Sequence, residues 1–221
     1  KSESLKITGS VKYDLKPSKL SKSPEIQKFT DKKFILAVST HSGEDEIILK
    51  SFINITQYFA NLKLVIVPRH PERTDEIVKI AKTKNISACI ESEGVNDDCL
   101  LMIVDSIGKT SFLYQHAEAA FVGGSLVHRG GHNIIEPAFF KCPIIIGPSM
   151  FNFETIAEDF IANKACRVVY DDKSLATEFI DILNNNTNKL SMIDSASMII
   201  EKNSGASELQ LSAIINELNG V

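Results

Sequence analysis

Polar and charged side chains in this 221-residue chain gather in short segments that each follow a run of apolar residues. Ser39-Thr40-His41-Ser42-Gly43 follows the first run, Pro68-Arg69-His70-Pro71-Glu72-Arg73 the second, and Asp105-Ser106-Ile107-Gly108-Lys109-Thr110 the fourth. The longest segment follows the fifth run and extends from Gly123 to Pro137, with Gly123-Gly124 and Gly130-Gly131 on either side of Arg129. Paired glycines permit φ > 0 turns and close backbone approach. This loop runs into a helix start near Asn133, where unpaired N–H groups and the positive dipole end favour an anion such as phosphate. Asn133-x-x-Glu136 equally fits a capping box in which Glu136 closes the first turn, and spacing alone leaves both readings open.

Arg69 and Arg73 flank a His-Pro-Glu turn. They suit a phosphate clamp, because guanidinium pairs with phosphate oxygens in a bidentate way, or else a solvated loop. Lys109 stands at a helix start, where the macrodipole disfavours a cation and a negative partner would compensate. His128, His132 and Glu136 have i, i+4, i+8 spacing, but Gly130 and Gly131 break the helix that would align them, which argues against a metal site. No P-loop or GxGxxG fingerprint occurs, so a kinase or dehydrogenase is disfavoured, and there is no G-x-S-x-G elbow.

The elements that must position these segments follow from hydrophobic patterning. Apolar runs at 34–39, 64–68, 87–91, 100–105, 120–123, 144–148 and 167–170 are mostly continuous, as expected of parallel strands covered on both faces. Helix-period segments lie between them, at 44–60, Thr74–Thr83 and 153–162. This alternation predicts an α/β fold, a Rossmann-like, doubly wound and mostly parallel sheet. Ligands of such sheets bind beyond the carboxyl ends of the strands, where strand order reverses, and the polar segments all fall there. A helical tail follows at 175–183, 190–200 and 208–218, interrupted by Gly205.

Composition narrows the function classes. The chain is 43% hydrophobic and 24% charged, with net charge −4. Residues 1–33 hold nine lysines and four acids (+5), leaving −9 on residues 34–221. A basic leader on an acidic body argues against a nucleic-acid partner. No apolar run approaches the roughly 18–20 residues of a membrane span, and the leader has no signal-peptide core. Cys89, Cys99, Cys142 and Cys166 show no CxxC pairing and read as buried free thiols of a reducing compartment. Residues 1–33, with Pro17 and Pro24, read as a linker and the start of the domain that occupies 34–221.

The segments occur together in a familiar order. Thr8-Gly9-Ser10-Val11-Lys12-Tyr13-Asp14 comes first, then Ser39-Thr40-His41-Ser42-Gly43-Glu44, Pro68 to Arg73 and Asp105-Ser106-Ile107-Gly108. Phe121-Val122-Gly123-Gly124-Ser125-Leu126, Gly130-Gly131-His132-Asn133 through Glu136-Pro137, and Gly147-Pro148 with Asn152-Phe153 complete the series. Together they resemble the CMP-Kdo-dependent Kdo transferases of lipopolysaccharide synthesis, which have the two-domain GT-B fold. The resemblance runs from Thr8 onward and covers only the C-terminal, donor-binding half. It implies inverting transfer of Kdo from CMP-Kdo to a lipid A precursor, with neither metal nor cofactor. It places CMP on Pro68 and Arg69, on Ile107, Gly108 and Lys109, and on Asn133, Ile134, Ile135 and Glu136. Lys12 matches a family lysine regarded as stabilising the transition state. The general base, acceptor site and membrane anchor belong to the family's N-terminal domain, which the resemblance and the Lys1 opening put outside this chain. The full-length protein is accordingly expected at the cytoplasmic face of the inner membrane, and this fragment in solution. The donor domain of a UDP-sugar transferase or epimerase would share the Gly-rich loop and Glu136, and a non-enzymatic nucleotide-binding module is a further alternative.

Overall fold

The computed structural model describes residues 7–14 and 21–219; the parts of the expected linker at 1–6 and 15–20, Pro17 included, lie outside the described residues. Each apolar run forms a strand: β1 (Phe34–Thr40), β2 (Lys63–Pro68), β3 (Ala88–Ile90), β4 (Leu101–Ile103), β5 (Ala120–Val122), β6 (Ile144–Ile146) and β7 (Arg167–Val168). All pairs are parallel, in the order β3-β4-β2-β1-β5-β6-β7. The chain leaves β1 toward β2 on one side and returns to β5 on the other, so strand order reverses between β1 and β5.

Alternate residues of each strand feed opposite layers. Ile35 and Ala37 pack with Ile48, Leu49 and Phe52 of α2 (Glu44–Thr56), Ile77 and Ala81 of α3 (Thr74–Thr83), and Leu175 and Phe179 of α7 (Asp172–Asn184). Phe34, Leu36 and Val38 pack on the other face with α1 (Pro24–Thr30) and α4 (Thr110–His116). That face continues under β5 and β6 with α5 (Ile135–Phe139), α6 (Glu154–Ala162) and α8 (Asn186–Asn203). A sheet buried on both sides explains why its strands are apolar throughout rather than alternating.

Within residues 1–33 the chain forms α1, a helix that apolar periodicity does not mark. Ser23 caps it by accepting the Ile26 N–H at 3.2 Å, Pro24 occupies its first turn, and Ile26 and Phe29 enter the core. Only two apolar residues carry the packing, too few to stand out among lysines. Tyr13 is likewise buried against α6 and α8. Asp14 accepts the Gly205 and Ser207 N–H groups, both at 2.6 Å, at the start of α9 (Ala206–Asn219). The Ser207 bonds lead in holding the Asp14 carboxyl below its ordinary value.

The four cysteines are buried and unpaired, and burial pushes the Cys166 thiol up to about 12. No helix among the described residues is long and apolar enough to cross a membrane.

Candidate nucleotide-sugar site

The crevice opens where β1 and β5 end side by side. Ser39 adopts φ 57°, and the β1–β2 register slips between Val38 and Thr40. A Cβ on Gly123 would lie 2.5 Å from the Ser39 carbonyl oxygen, so only glycine lets the two strand ends approach this closely. The Gly-rich loop then folds back, with the Gly131 N–H donating to the Gly124 carbonyl at 2.9 Å and φ +69° at Gly131. Asn152 fastens it from the β6 side: its N–H donates to the Gly130 carbonyl at 3.0 Å and its amide to the Arg129 carbonyl at 2.9 Å.

Glu44, fully buried at the start of α2, organises the whole turn. Its carboxylate accepts the N–H groups of His41 (2.9 Å), Gly124 (2.7 Å), Ser125 (3.1 Å) and Leu126 (3.0 Å). Burial raises the Glu44 carboxyl above its ordinary value, against four N–H groups that favour the ionised form. In the sequence Glu44 is only the last residue of the Ser39-to-Glu44 motif. The signal available was its place directly after Gly43, at the N-terminal edge of a helix that follows a strand end.

His41 and His132 meet in this crevice. Their Nε2 atoms are 2.9 Å apart and their rings lie parallel within 3°, centroids 5.2 Å apart. His70 sets its ring edge to His41 at 5.8 Å. Burial and then His41, Arg69 and His70 push His132 down to about 4, and burial with Arg129, His70, Arg73 and Arg69 lowers His41. Arg69, Arg73 and Arg129 are the cations around the pair. The motif order contains both histidines without giving them a role, and only their meeting across 91 positions marks them.

The residues expected to hold nucleotide fall into two groups. Pro68 ends β2 in the core, and Arg69 is exposed beyond it with its N–H on the Thr40 carbonyl at 3.1 Å. Arg73 is not part of a phosphate clamp. Its guanidinium is bonded to the buried Asp45, to Glu76 at 3.1 Å and to the Thr40 carbonyl at 3.1 Å, so only Arg69 of the two is open to a ligand.

The second group forms around Glu136. Ile107 is 91% exposed, Gly108 has φ +83°, and Lys109 reaches the Ser21 hydroxyl at 3.1 Å. Immediately after them, Thr110 and Ser111 donate to Glu136 Oε1 at 3.2 and 3.0 Å. No capping box forms, because Glu136 bonds α4 instead of its own helix start. Asn133 Oδ1 accepts the Ile135 N–H at 3.0 Å, and the Ile134 and Ile135 side chains are buried.

Lys12 lies apart from both groups. It is exposed on the short turn Val11–Tyr13, with Nζ 4.6 Å from the Phe153 ring centre. It lines a cavity of about 890 Å³ with Ser10, Phe151, Asn152 and Phe153, beyond the end of β6. Of the spacing-based triad, His132 pairs with His41, His128 packs on Phe151 at 4.9 Å and Glu136 bonds α4, so their side chains do not converge.

No family model matches the chain. A 3-deoxy-D-manno-octulosonic acid transferase of Haemophilus influenzae is 41% identical over 160 residues, covering 70% of this chain and 38% of the relative. Its counterpart in Rickettsia conorii is 34% identical over 160 residues, covering 71% and 34%. The crystal structure of the C-terminal CMP-Kdo binding domain of WaaA from Acinetobacter baumannii matches with a TM-score of 0.73 and 28% identity, over 78% of this chain and 91% of that one. Over about 70% of its length the chain is similar to 3-deoxy-D-manno-octulosonic acid transferases. It spans 38% and 34% of the two curated Kdo transferases, and its fold is that of one Rossmann-like half of a GT-B enzyme. A UDP co-structure of S. aureus MnaA shares the fold alone, with a TM-score of 0.65 at 16% identity, over all of this chain and 56% of that one. The strand order places the β1–β5 switch point, the 107–109 loop after β4 and Glu136 after β5 along one edge of the sheet.

Proposed function

We propose that the chain is the donor-binding half of an inverting, CMP-Kdo-dependent Kdo transferase, which passes Kdo to a lipid A precursor in lipopolysaccharide synthesis. The observation that carries this reading is the Glu136 carboxylate, pinned through Oε1 to Thr110 and Ser111 beside the exposed 107–109 loop. An ionised carboxylate offers about four lone-pair sites, so a Glu136 held in this way keeps acceptor capacity for ribose hydroxyls. In this reading the backbone of Ile107, Gly108 and Lys109 reads the cytosine edge. Arg69 and the helix start near Asn133 hold the phosphate, and Pro68 shapes the wall beside Arg69.

Breaking the bond between Kdo and CMP turns a phosphodiester monoanion into a phosphomonoester dianion. Fixed cations such as Arg69 and Lys12 stabilise that growing charge, without a metal in this scheme. The sugar centre becomes oxocarbenium-like. A carboxylate base must take the acceptor's proton. We assign that base, the acceptor site and the contact with the cytoplasmic face of the inner membrane to the enzyme's N-terminal half. This chain by itself then binds nucleotide without turnover.

Calorimetric titration of the chain with CMP, UMP and UDP tests the reading. CMP is expected to bind at least about tenfold more tightly than either uridine nucleotide, with Glu136→Ala erasing most of the affinity. Preferential binding of UDP would assign the site to a UDP-sugar transferase or epimerase instead.

A further inference from the structure

We propose that His41 and His132 form a proton-sharing pair that gains one proton when a phosphate dianion occupies the β1–β5 crevice; this rests on the donor-site reading above. At 2.9 Å between two Nε2 atoms, one nitrogen must donate and the other must offer its lone pair. The ring that donates at Nε2 therefore keeps a free Nδ1 lone pair in the neutral pair, and that nitrogen is where a proton can be added.

The groups around the pair decide when this happens. Arg69, Arg73 and Arg129 supply positive charge around the pair. The nearby carboxylates are engaged elsewhere. Glu44 accepts four backbone N–H groups, Asp45 and Glu76 bond Arg73, and Glu72 lies 3.6 Å from His70 Nδ1. Burial first, and then the neighbouring positive groups, hold both imidazoles below their ordinary values, His132 at about 4. A phosphate dianion reverses the local field and favours the protonated pair. The proton comes from solvent, and no covalent bond changes. The pair thereby gains positive charge as CMP departs with its second negative charge. It acts as a positioning and charge-matching element rather than as a group that attacks the sugar.

The test is calorimetric titration of the chain with CMP at about pH 7.5, where the phosphate is largely dianionic, in buffers of differing ionisation enthalpy. The expected result is uptake of about one proton per CMP, with affinity falling about tenfold per unit of rising pH. Cytidine, which lacks phosphate, is expected to bind without uptake. His41→Gln and His132→Gln are each expected to abolish the uptake. Because either variant risks misfolding, 15N NMR of the wild-type imidazoles gives a second reading: both rings move toward the protonated form as CMP is added. CMP binding without proton uptake, uptake that persists in both variants, or imidazole signals unmoved by CMP overturns the proposal and leaves the donor site standing. Failure of CMP to bind at all overturns the donor-site reading and this proposal with it.

Discussion

Glu44 Oε2 accepts the Gly124 N–H at 2.7 Å, tying the helix start after β1 to the Gly-rich loop after β5 across 80 positions. The same carboxylate holds three further N–H groups, so its removal strands several buried donors at once. Glu44→Ala is expected to lower the unfolding free energy by about 3–5 kcal/mol. Urea denaturation measures this, and a loss below about 1 kcal/mol would mean that the loop holds its shape unaided.

Arg69 and Arg73 separate a binding role from a structural one. Arg73→Ala leaves the buried Asp45 without its cation, and a loss of about 3–5 kcal/mol in stability is expected. Arg69→Ala, on an exposed side chain, should leave the melting temperature within a degree or two and weaken CMP binding about tenfold or more. The reverse pattern, a destabilised Arg69 variant and a stable Arg73 variant, would refute this division.

The glycines differ in the same way. At Gly123 an added methyl meets the Ser39 backbone, which cannot swing aside as a side chain could. Gly123→Ala is expected to cost more than about 3 kcal/mol or to prevent folding. At Gly108 nothing lies within 4 Å of the new methyl, and only φ +83° is unfavourable. Gly108→Ala should cost about 1 kcal/mol. Equal thermal stability of the two variants would contradict the close approach of β1 and β5.

Stability should also depend on pH through His132. The folded imidazole stays neutral down to about pH 4, whereas in the unfolded chain it protonates near its ordinary value of 6.5. The unfolded state binds more protons within that window, so stability is expected to fall as pH drops from about 6.5 toward 4. Melting curves across this range, compared with those of His132→Gln, check it. An unchanged slope in the variant would assign the effect to other groups.

Much of the frame is legible in the amino-acid sequence itself. The runs at 34–39, 64–68 and 144–148 fall on β1, β2 and β6 because strands buried on both faces have no polar positions to interrupt them. Helix ends are read less well. The period that suggests a helix over 44–60 stops at Thr56. The segment expected at 190–200 extends from Asn186 to Asn203, because the Asn185 side chain caps it by accepting the Asn188 N–H at 3.1 Å. Helix α1 escapes notice because its stabilisation comes from two side chains meeting a core formed by distant strands.

The candidate site divides along the same line. Residue type and order alone lead to the Gly-rich loop, Arg69, the 107–109 loop and Glu136, because these lie in short segments at predicted strand ends. What each charged group bonds is decided only by tertiary structure. Glu136 turns from its own helix to Thr110 and Ser111, Arg73 to Asp45, and Glu44 to the loop after β5. Apolar periodicity and glycine placement are local properties of the chain, and they determine which elements form and which loops cluster. The partner of a carboxylate or an imidazole depends on which strand ends come within about 3 Å after the sheet has assembled. That choice rests on the strand order, which places β5 beside β1 and so brings His132 to His41.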